Sequence, residues 1–471
     1  MKAIRQTAVA LLFASTLWAQ GSRPPLPADL PKAGVLKPPT SPAVEQHKLK
    51  NGLDVWLVQR PELPKVAFDL VVRGGDSLDP AYSPGLAKVM ARAITQGTSS
   101  RSSREIAEAA QAAGGDLGSF ATVDWTQVSL DSLSEHAGDA VSLLADVAQN
   151  ANFPESEVAL VKSNMQDELR SSEARPRFLA QRAWYGVTFG DHPYHIVAAS
   201  MKTLQSATPK SLQALYQTEF RPDQSLLIAV GSFDKTALMA DIEKAFGSWK
   251  APTFRPAEVK TPATKPDHKI YYIERPGSVQ TTMLIGSTGL TATDPDEPRL
   301  RVANTIYGGS FGSRLTRNIR EDKGYTYTPY SYTPNNRLAG ACLTSEDVRN
   351  EVTGASLKET FGELKRIASE PPSAGEMDTA KRYLIGNTAL ELQSRGEVGA
   401  LLAKYWVIGE PATHLDKEMA EIQKTTPAEA AQVAAKYLNP DRVTIIAVGE
   451  KQVILDQLKP FGMEIVPAPK E

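Results

Sequence analysis

Arg221-Pro222-Asp223-Gln224-Ser225-Leu226-Leu227-Ile228-Ala229-Val230-Gly231 is answered later in the chain by Asn439-Pro440-Asp441-Arg442-Val443-Thr444-Ile445-Ile446-Ala447-Val448-Gly449. Each stretch reads as a Pro-Asp turn followed by an apolar β-strand closed by glycine. Each is preceded by a helical run that opens on Thr-Pro, at Thr208-Pro209 and at Thr426-Pro427. Threonine caps a helix, and proline suits the first helical position because its missing N–H is not needed there. The Thr-Pro pair and the turn proline recur at the same offset of 218 residues (208 to 426, 222 to 440).

The fronts of the two units match more faintly. Val55-Trp56-Leu57-Val58-Gln59-Arg60-Pro61 precedes a strand over 66–72 and then Asp79-Pro80. Ile270-Tyr271-Tyr272-Ile273-Glu274-Arg275-Pro276 precedes a strand over 282–287 and then Asp294-Pro295. Both landmarks sit at an offset of 215 (60 to 275, 79 to 294). Four landmarks in one order indicate a tandem duplication of a unit of roughly 200 residues. The expected class is α+β: two tandem homologous α/β-sandwich domains, each an antiparallel-rich sheet with helices on one face. The domains span 45–250 and 268–471, joined by a Pro-, Thr- and Lys-rich linker over 251–267.

The 471 residues carry 52 Lys and Arg against 54 Asp and Glu, a net charge of −2, so no basic field points to nucleic acid or an anionic membrane. Met1 to Gln20 has a basic start at Lys2 and Arg5, then the apolar run from Ala8 to Ala14, and reads as a cleaved export signal. A periplasmic or extracellular location follows, with a retained N-terminal anchor as the alternative. No other stretch approaches the ~20 apolar residues of a membrane helix. Residues 21–44 are a Pro-rich linker. The single cysteine, Cys342, allows no internal disulfide, so stability must come from large cores.

Gly85-Leu86-Ala87-Lys88-Val89-Met90-Ala91-Arg92-Ala93-Ile94-Thr95-Gln96-Gly97-Thr98 reads as a buried helix after a turn. Positions 88 and 92 share one face. Histidines there, with Glu at 91, would make a zinc-binding helix carrying its own base. Lys88, Ala91 and Arg92 stand instead, and neither cation offers a lone pair at neutral pH. In the second unit, Gly308-Gly309-Ser310-Phe311-Gly312-Ser313 is a Gly-rich turn before a helix expected at Ser313. Such a turn suggests an anion- or backbone-binding site, although the GK[ST] ending of a nucleotide loop is missing. His192 and His195 flank Pro193-Tyr194 with no cysteine or acid at metal-site spacing, and read as a hydrogen-bonded turn. No G-x-S-x-G elbow supports serine hydrolase chemistry.

These residues together resemble the pitrilysin/insulinase-like metallopeptidases (M16, the inverted zincins) over essentially the whole mature length. The resemblance rests on the glycines framing 85–98, Arg101-Ser102-Ser103-Arg104-Glu105-Ile106, Gly114-Gly115, Phe120 to Thr126, and His192-Pro193-Tyr194. In that family His-x-x-Glu-His occupies the helix and a downstream Glu is the third zinc ligand. The resemblance puts Lys88 at the first His, Ala91 at the Glu, Arg92 at the second His and Glu168 at the residual third-ligand position. A salt bridge from Glu168 to Lys88 and Arg92 is the expected filling of the metal's space.

The family's substrate-gripping Arg/Tyr pair falls on Arg320 and Tyr327. In the two-chain members one subunit keeps the zinc motif and the other keeps the pair. The resemblance therefore implies a catalytically deficient subunit of a heterodimeric zinc peptidase. It implies no catalytic residue, metal or cofactor in this chain alone, zinc in a partner subunit, and unfolded peptide as substrate. Two alternatives stay open: a non-enzymatic scaffold or peptide-binding protein of the same fold, and a peptidase with unconventional metal ligands.

Overall fold

The computed structural model describes residues 34–254, 256–263 and 267–469. The proposed signal segment over 1–20 and the Pro-rich residues 21–33 lie outside the described residues. The first half runs β1 (Glu45–Lys48), β2 (Asp54–Gln59), β3 (Lys65–Arg73), α1 (Leu86–Ile94), α2 (Ser103–Ala112), β4 (Leu117–Ala121), β5 (Trp125–Leu133), α3 (Ala137–Asn150), α4 (Glu155–Glu173), α5 (Pro176–Phe189), α6 (Met201–Ser206), α7 (Pro209–Glu219), β6 (Ser225–Gly231) and α8 (Lys235–Phe246). The second runs β7 (Ile270–Glu274), β8 (Gln280–Gly289), α9 (Glu297–Asn304), β9 (Tyr330–Tyr332), β10 (Gly340–Arg349), α10 (Thr353–Ser369), α11 (Ala374–Glu391), α12 (Arg395–Ile408), α13 (His414–Lys424), α14 (Pro427–Tyr437), β11 (Thr444–Gly449), α15 (Lys451–Leu458) and β12 (Ile465–Pro467). The described residues between α8 and β7 hold no helix or strand.

The local signals act as written. Thr208 and Thr426 accept from the N–H of Ser211 and Glu429, each at 3.2 Å, and each closes a capping box at the head of α7 or α14. Ser102 and Glu105 do the same for α2.

Two six-stranded sheets result, ordered β1-β2-β6-β3-β5-β4 and β12-β7-β11-β8-β10-β9. Five of the six positions correspond strand for strand, from β2 and β7 across to the edge strands β4 and β9. In each, the strand closed by glycine returns to the centre, parallel to β2 or β7 and antiparallel to β3 or β8. The strands at the other edge, β1 and β12, differ. β1 comes from the start of the chain and pairs antiparallel, whereas β12 comes from its end and pairs parallel.

Each half packs its own helices on one sheet face. The first core gathers Phe68 and Leu70 of β3 with Met90, Val141 and Leu212 from α1, α3 and α7. The opposite face is covered by a helix from the other half. Val398, Leu402 and Trp406 of α12 pack on Trp56, Val71 and Ile228 of the first sheet. Ala180 and Trp184 of α5 pack on Leu284, Leu343 and Ile446 of the second. This exchange explains why every residue of β6 and β11 is buried, on both faces.

Two arginines latch the exchange. Arg60 donates to the Leu392 carbonyl at 3.0 Å and Arg275 to the Ala174 carbonyl at 2.6 Å. Leu392 and Ala174 are the C-caps of α11 and α4, where a cation suits the negative end of the helix dipole. The repeated Arg-Pro of the sequence is therefore a reciprocal tie between the halves. Buried Asp124 adds a third, taking the Tyr194 hydroxyl at 2.7 Å and the Arg337 N–H at 3.0 Å.

Candidate functional site

β3 ends at Arg73 and the chain turns through Gly74 to Leu78 before α1. The turn needs glycine at Gly75, where φ is +65° and a Cβ would lie 2.1 Å from the Thr122 carbonyl oxygen. Gly85, at φ +83°, precedes α1 and has no side chain to cap it. Asp79 caps the helix from six residues back, accepting from the N–H of Gly85 at 2.6 Å and of Ala87 at 2.8 Å.

Seven of the nine residues of α1 are buried. Lys88 and Arg92, one turn apart, form its only open face, beside Glu168 of α4. With Phe120, Ala121 and Met165 they line a cavity of about 230 Å³. The four positions singled out in the sequence thus come together on α1 and α4. Ala91 is fully buried. Arg92 reaches the Glu168 carboxylate at 3.2 Å, with both side chains 55% exposed.

Lys88 does not join them. Its ammonium turns inward to Asp76 Oδ2 at 2.6 Å, and it approaches the Ala121 carbonyl at 3.4 Å. The expected three-way bridge is corrected to two separate pairs. The physical reason is burial. Asp76 has no exposed side-chain surface and needs a cation beside it, whereas Glu168 is half in water and needs none. The Lys88–Asp76 contact is an ion contact rather than a well-directed hydrogen bond.

Sequence reasoning missed the buried carboxyl cluster below α1. Burial pushes Asp76 up to about 6, with Lys88 opposing. Burial and then the Asp76 charge push Asp79 up to about 8, against the two amides it accepts. Glu219 of α7 is pushed up to about 7 by burial, although it takes the Gly75 N–H at 2.8 Å. The only trace of this cluster in the sequence is Asp79-Pro80, seen as a repeat landmark.

Zinc does not fit this site. Lys88 and Arg92 are donors only, Ala91 has no functional group, and Glu168 is one ligand where a catalytic zinc needs at least three. Among the described residues, no group of three or more His, Cys, Asp or Glu side chains is placed to hold a metal ion. His192 and His195 sit in a hydrogen-bonded turn. His192 accepts from the Tyr194 N–H at 3.2 Å and contacts the Lys260 carbonyl at 2.9 Å, while His195 meets the His192 carbonyl at 2.8 Å.

In the second half, α9 runs into a π-helical turn over Thr305–Gly309, and a further one covers Thr316–Asp322. The helix resumes at Arg314. Gly308 and Gly309 serve close packing rather than an anion: a Cβ would fall 2.7 Å from Ser331 Cβ at the first and 2.9 Å from Asn304 Nδ2 at the second. Arg320 lies over the Phe311 ring at 4.4 Å, and Phe311 is itself exposed. Tyr327 follows in a loop, 84% exposed. Neither Arg320 nor Tyr327 lines the cavity of Lys88 and Glu168.

Residues 54–196 match the family profile described as insulinase (peptidase family M16), and residues 206–384 match the one described as peptidase M16 inactive domain. The chain is 26% identical over 385 residues to the uncharacterized zinc protease YmxG of Bacillus subtilis, covering 79% of this chain and 92% of that one. An uncharacterized zinc protease of Streptomyces coelicolor is 23% identical over 401 residues, covering 84% and 87%. A crystal structure of a peptidase M16 inactive domain from Pseudomonas fluorescens superposes with a TM-score of 0.80 at 26% identity, over 87% of this chain and 98% of that one. A protease from Helicobacter pylori shares the fold, with a TM-score of 0.79 at 18% identity over 87% and 100%.

Proposed function

We propose that this chain, which belongs to the insulinase-type M16 peptidase family and is a catalytically deficient member of it, serves as the non-zinc subunit of a two-chain peptidase. The observation that carries the reading is the open face of α1. Where a metallopeptidase needs ligands and a base, this chain has two internal ion pairs, Lys88–Asp76 and Arg92–Glu168.

By contrast, Tyr327 is presented to solvent, and Arg320 is half-buried on the ring of the exposed Phe311. A guanidinium can donate in a fork to peptide carbonyls, and a phenol can donate to a developing oxyanion. In this reading the partner supplies the metal and the base, and this chain holds an unfolded peptide against them. Export is part of the proposal and rests on residues 1–20. Among the described residues no helix is long and apolar enough to cross a membrane.

The test is reconstitution with an exported homologue that carries His-x-x-Glu-His. Peptide cleavage is expected from the mixture and not from this chain alone. Arg320→Ala with Tyr327→Phe should lower the mixture's kcat/KM by about 100-fold or more, the usual effect of losing a transition-state donor. Wild-type activity from that variant mixture sinks the proposed roles. Capture of a partner without a zinc motif would favour a non-enzymatic peptide-binding scaffold instead.

A further inference from the structure

A groove of about 620 Å³ lies where the first half's α4–α5 junction meets the second half's β7–β8 hairpin. Arg175, Arg177 and Arg275 line it, with Asp347 as the one carboxylate among its lining residues. Asp347 is already taken. It holds Arg177 at 2.7 Å and accepts from the Thr282 hydroxyl at 2.5 Å. Arg175 donates to the Ser172 hydroxyl at 2.7 Å and Arg275 to the Ala174 carbonyl at 2.6 Å, both neutral acceptors. Each guanidinium carries five N–H donors. Two positive charges therefore face the groove without a carboxylate of their own.

Arg275 ties the halves together through the Ala174 carbonyl, but Arg175 makes only a local contact with Ser172. Arg175 and Arg177 sit at the N-terminus of α5, which has no side-chain cap and no acidic residue in its first turn. Cations at that end oppose the helix dipole. The equivalent helix of the second half, α12, begins with a Ser394 hydroxyl that accepts the Glu397 N–H and carries Glu397 in its first turn. One of the two exchanged helices is thus closed on itself, and the other leaves unbalanced positive charge at a groove.

We propose that this groove binds an acidic stretch of a peptide, with Arg175 and Arg275 pairing its Asp or Glu side chains. The inference rests on the reading that the chain holds unfolded peptide, and it names the class of peptide held. Pro176, Pro276 and the 80%-exposed Val279 flank the guanidiniums. An extended peptide can use that apolar border, whereas a lone inorganic anion cannot.

The test uses the purified chain without a partner, so it is independent of the reconstitution assay. A fluorescein-labelled 12-residue peptide with a central run of four Glu is titrated by fluorescence anisotropy, beside the same peptide with Gln. The Glu peptide should bind at least about tenfold more tightly, and the preference should shrink between 50 and 200 mM salt. Arg175→Ala should remove most of it, and Arg175→Glu should abolish it. Arg175 is exposed, so both variants should melt like the parent, and Arg395→Ala at the equivalent helix should bind like the parent. Equal binding of the two peptides, or a preference untouched by Arg175→Glu, overturns the proposal. So does displacement of the Glu peptide by inorganic phosphate at low millimolar concentration, which marks a phosphate site. A mixture with the zinc subunit that cleaves Glu and Gln peptides alike leaves the subunit reading standing while the groove's role falls.

Discussion

The Lys88 ammonium sits 2.6 Å from Asp76 Oδ2, and the Asp76 side chain has no exposed surface. Three residues along the chain from Lys88, Ala91 is equally buried, and one turn along, Arg92 pairs with Glu168 in water. Two cations on one helix face thus have different weight. Breaking a buried pair by removing one partner costs about 3–5 kcal/mol, whereas an exposed pair contributes about 0–1 kcal/mol. Lys88→Met should therefore destabilise the chain by about 3 kcal/mol in urea unfolding at pH 7.5, and Arg92→Ala by about 0.5 kcal/mol or less. Adding Asp76→Asn to Lys88→Met should recover most of the loss. Equal effects of the two single variants would place the pair in solvent instead.

The carboxyls around that pair set a pH dependence. Asp76, Glu219 and Asp79 are raised to about 6, 7 and 8, each chiefly by burial. Their unfolded counterparts release protons near pH 4. Between pH 4 and pH 8 the folded chain therefore holds more protons than the unfolded one, and rising pH favours unfolding. This contribution is fully present below the unfolded values and is lost as pH rises through 6 to 8. The melting temperature should fall from pH 6 to pH 8, and Glu219→Gln should fall less over that window. A parent melting temperature that rises from 6 to 8 refutes the cluster's protonation.

Much of this was legible in advance, for identifiable reasons. The turn-strand-Gly repeat gave the two sheets, because Thr-Pro caps and apolar runs are local signals that burial reinforces. The family resemblance, counted on from Arg92, pointed to Glu168, and the two residues line one cavity. The exchange of α5 and α12 was not legible, since an apolar helix face reads the same whichever sheet it covers. Arg60-Pro61 and Arg275-Pro276 were visible as a repeat but not as latches, because their acceptors are backbone carbonyls, which carry no sequence identity. Asp76 was invisible for a similar reason. A single acid in a turn looks solvated until the fold removes its water.

Gly399 of α12 tests the exchanged packing. A Cβ there would fall 2.1 Å from Asp69 Oδ2. Asp69 is buried in β3, where Gln127 and Ser129 hold its other oxygen at 2.8 and 2.7 Å, and burial raises it to about 6. Glycine to alanine inside a helix ordinarily stabilises by up to about 1 kcal/mol. Here the clash is with a carboxylate that two donors fix, and overpacking costs about 1–3 kcal/mol. Gly399→Ala should therefore be net destabilising by about 1–2 kcal/mol in urea unfolding. Combined with Asp69→Ala, the same substitution should be neutral or better relative to Asp69→Ala alone. A stabilising single substitution would mean that α12 does not lie against β3.

The strongest test of the ion-pair account is to rebuild what it replaced. Lys88→His with Arg92→His would set two imidazoles one turn apart beside Glu168, giving the three donors a catalytic-type zinc site needs. The same change strands Asp76, which loses the cation that accompanies its burial. The double variant should therefore be less stable than the parent by about 3 kcal/mol and bind zinc poorly, because folding and binding draw on the same structure. Adding Asp76→Asn should restore stability and give one zinc per chain by elemental analysis. Peptide cleavage should stay absent in that triple variant, since Ala91 supplies no base to deprotonate a bound water. Stoichiometric zinc in the double variant at undiminished stability would show that Lys88 is not the counter-ion Asp76 requires.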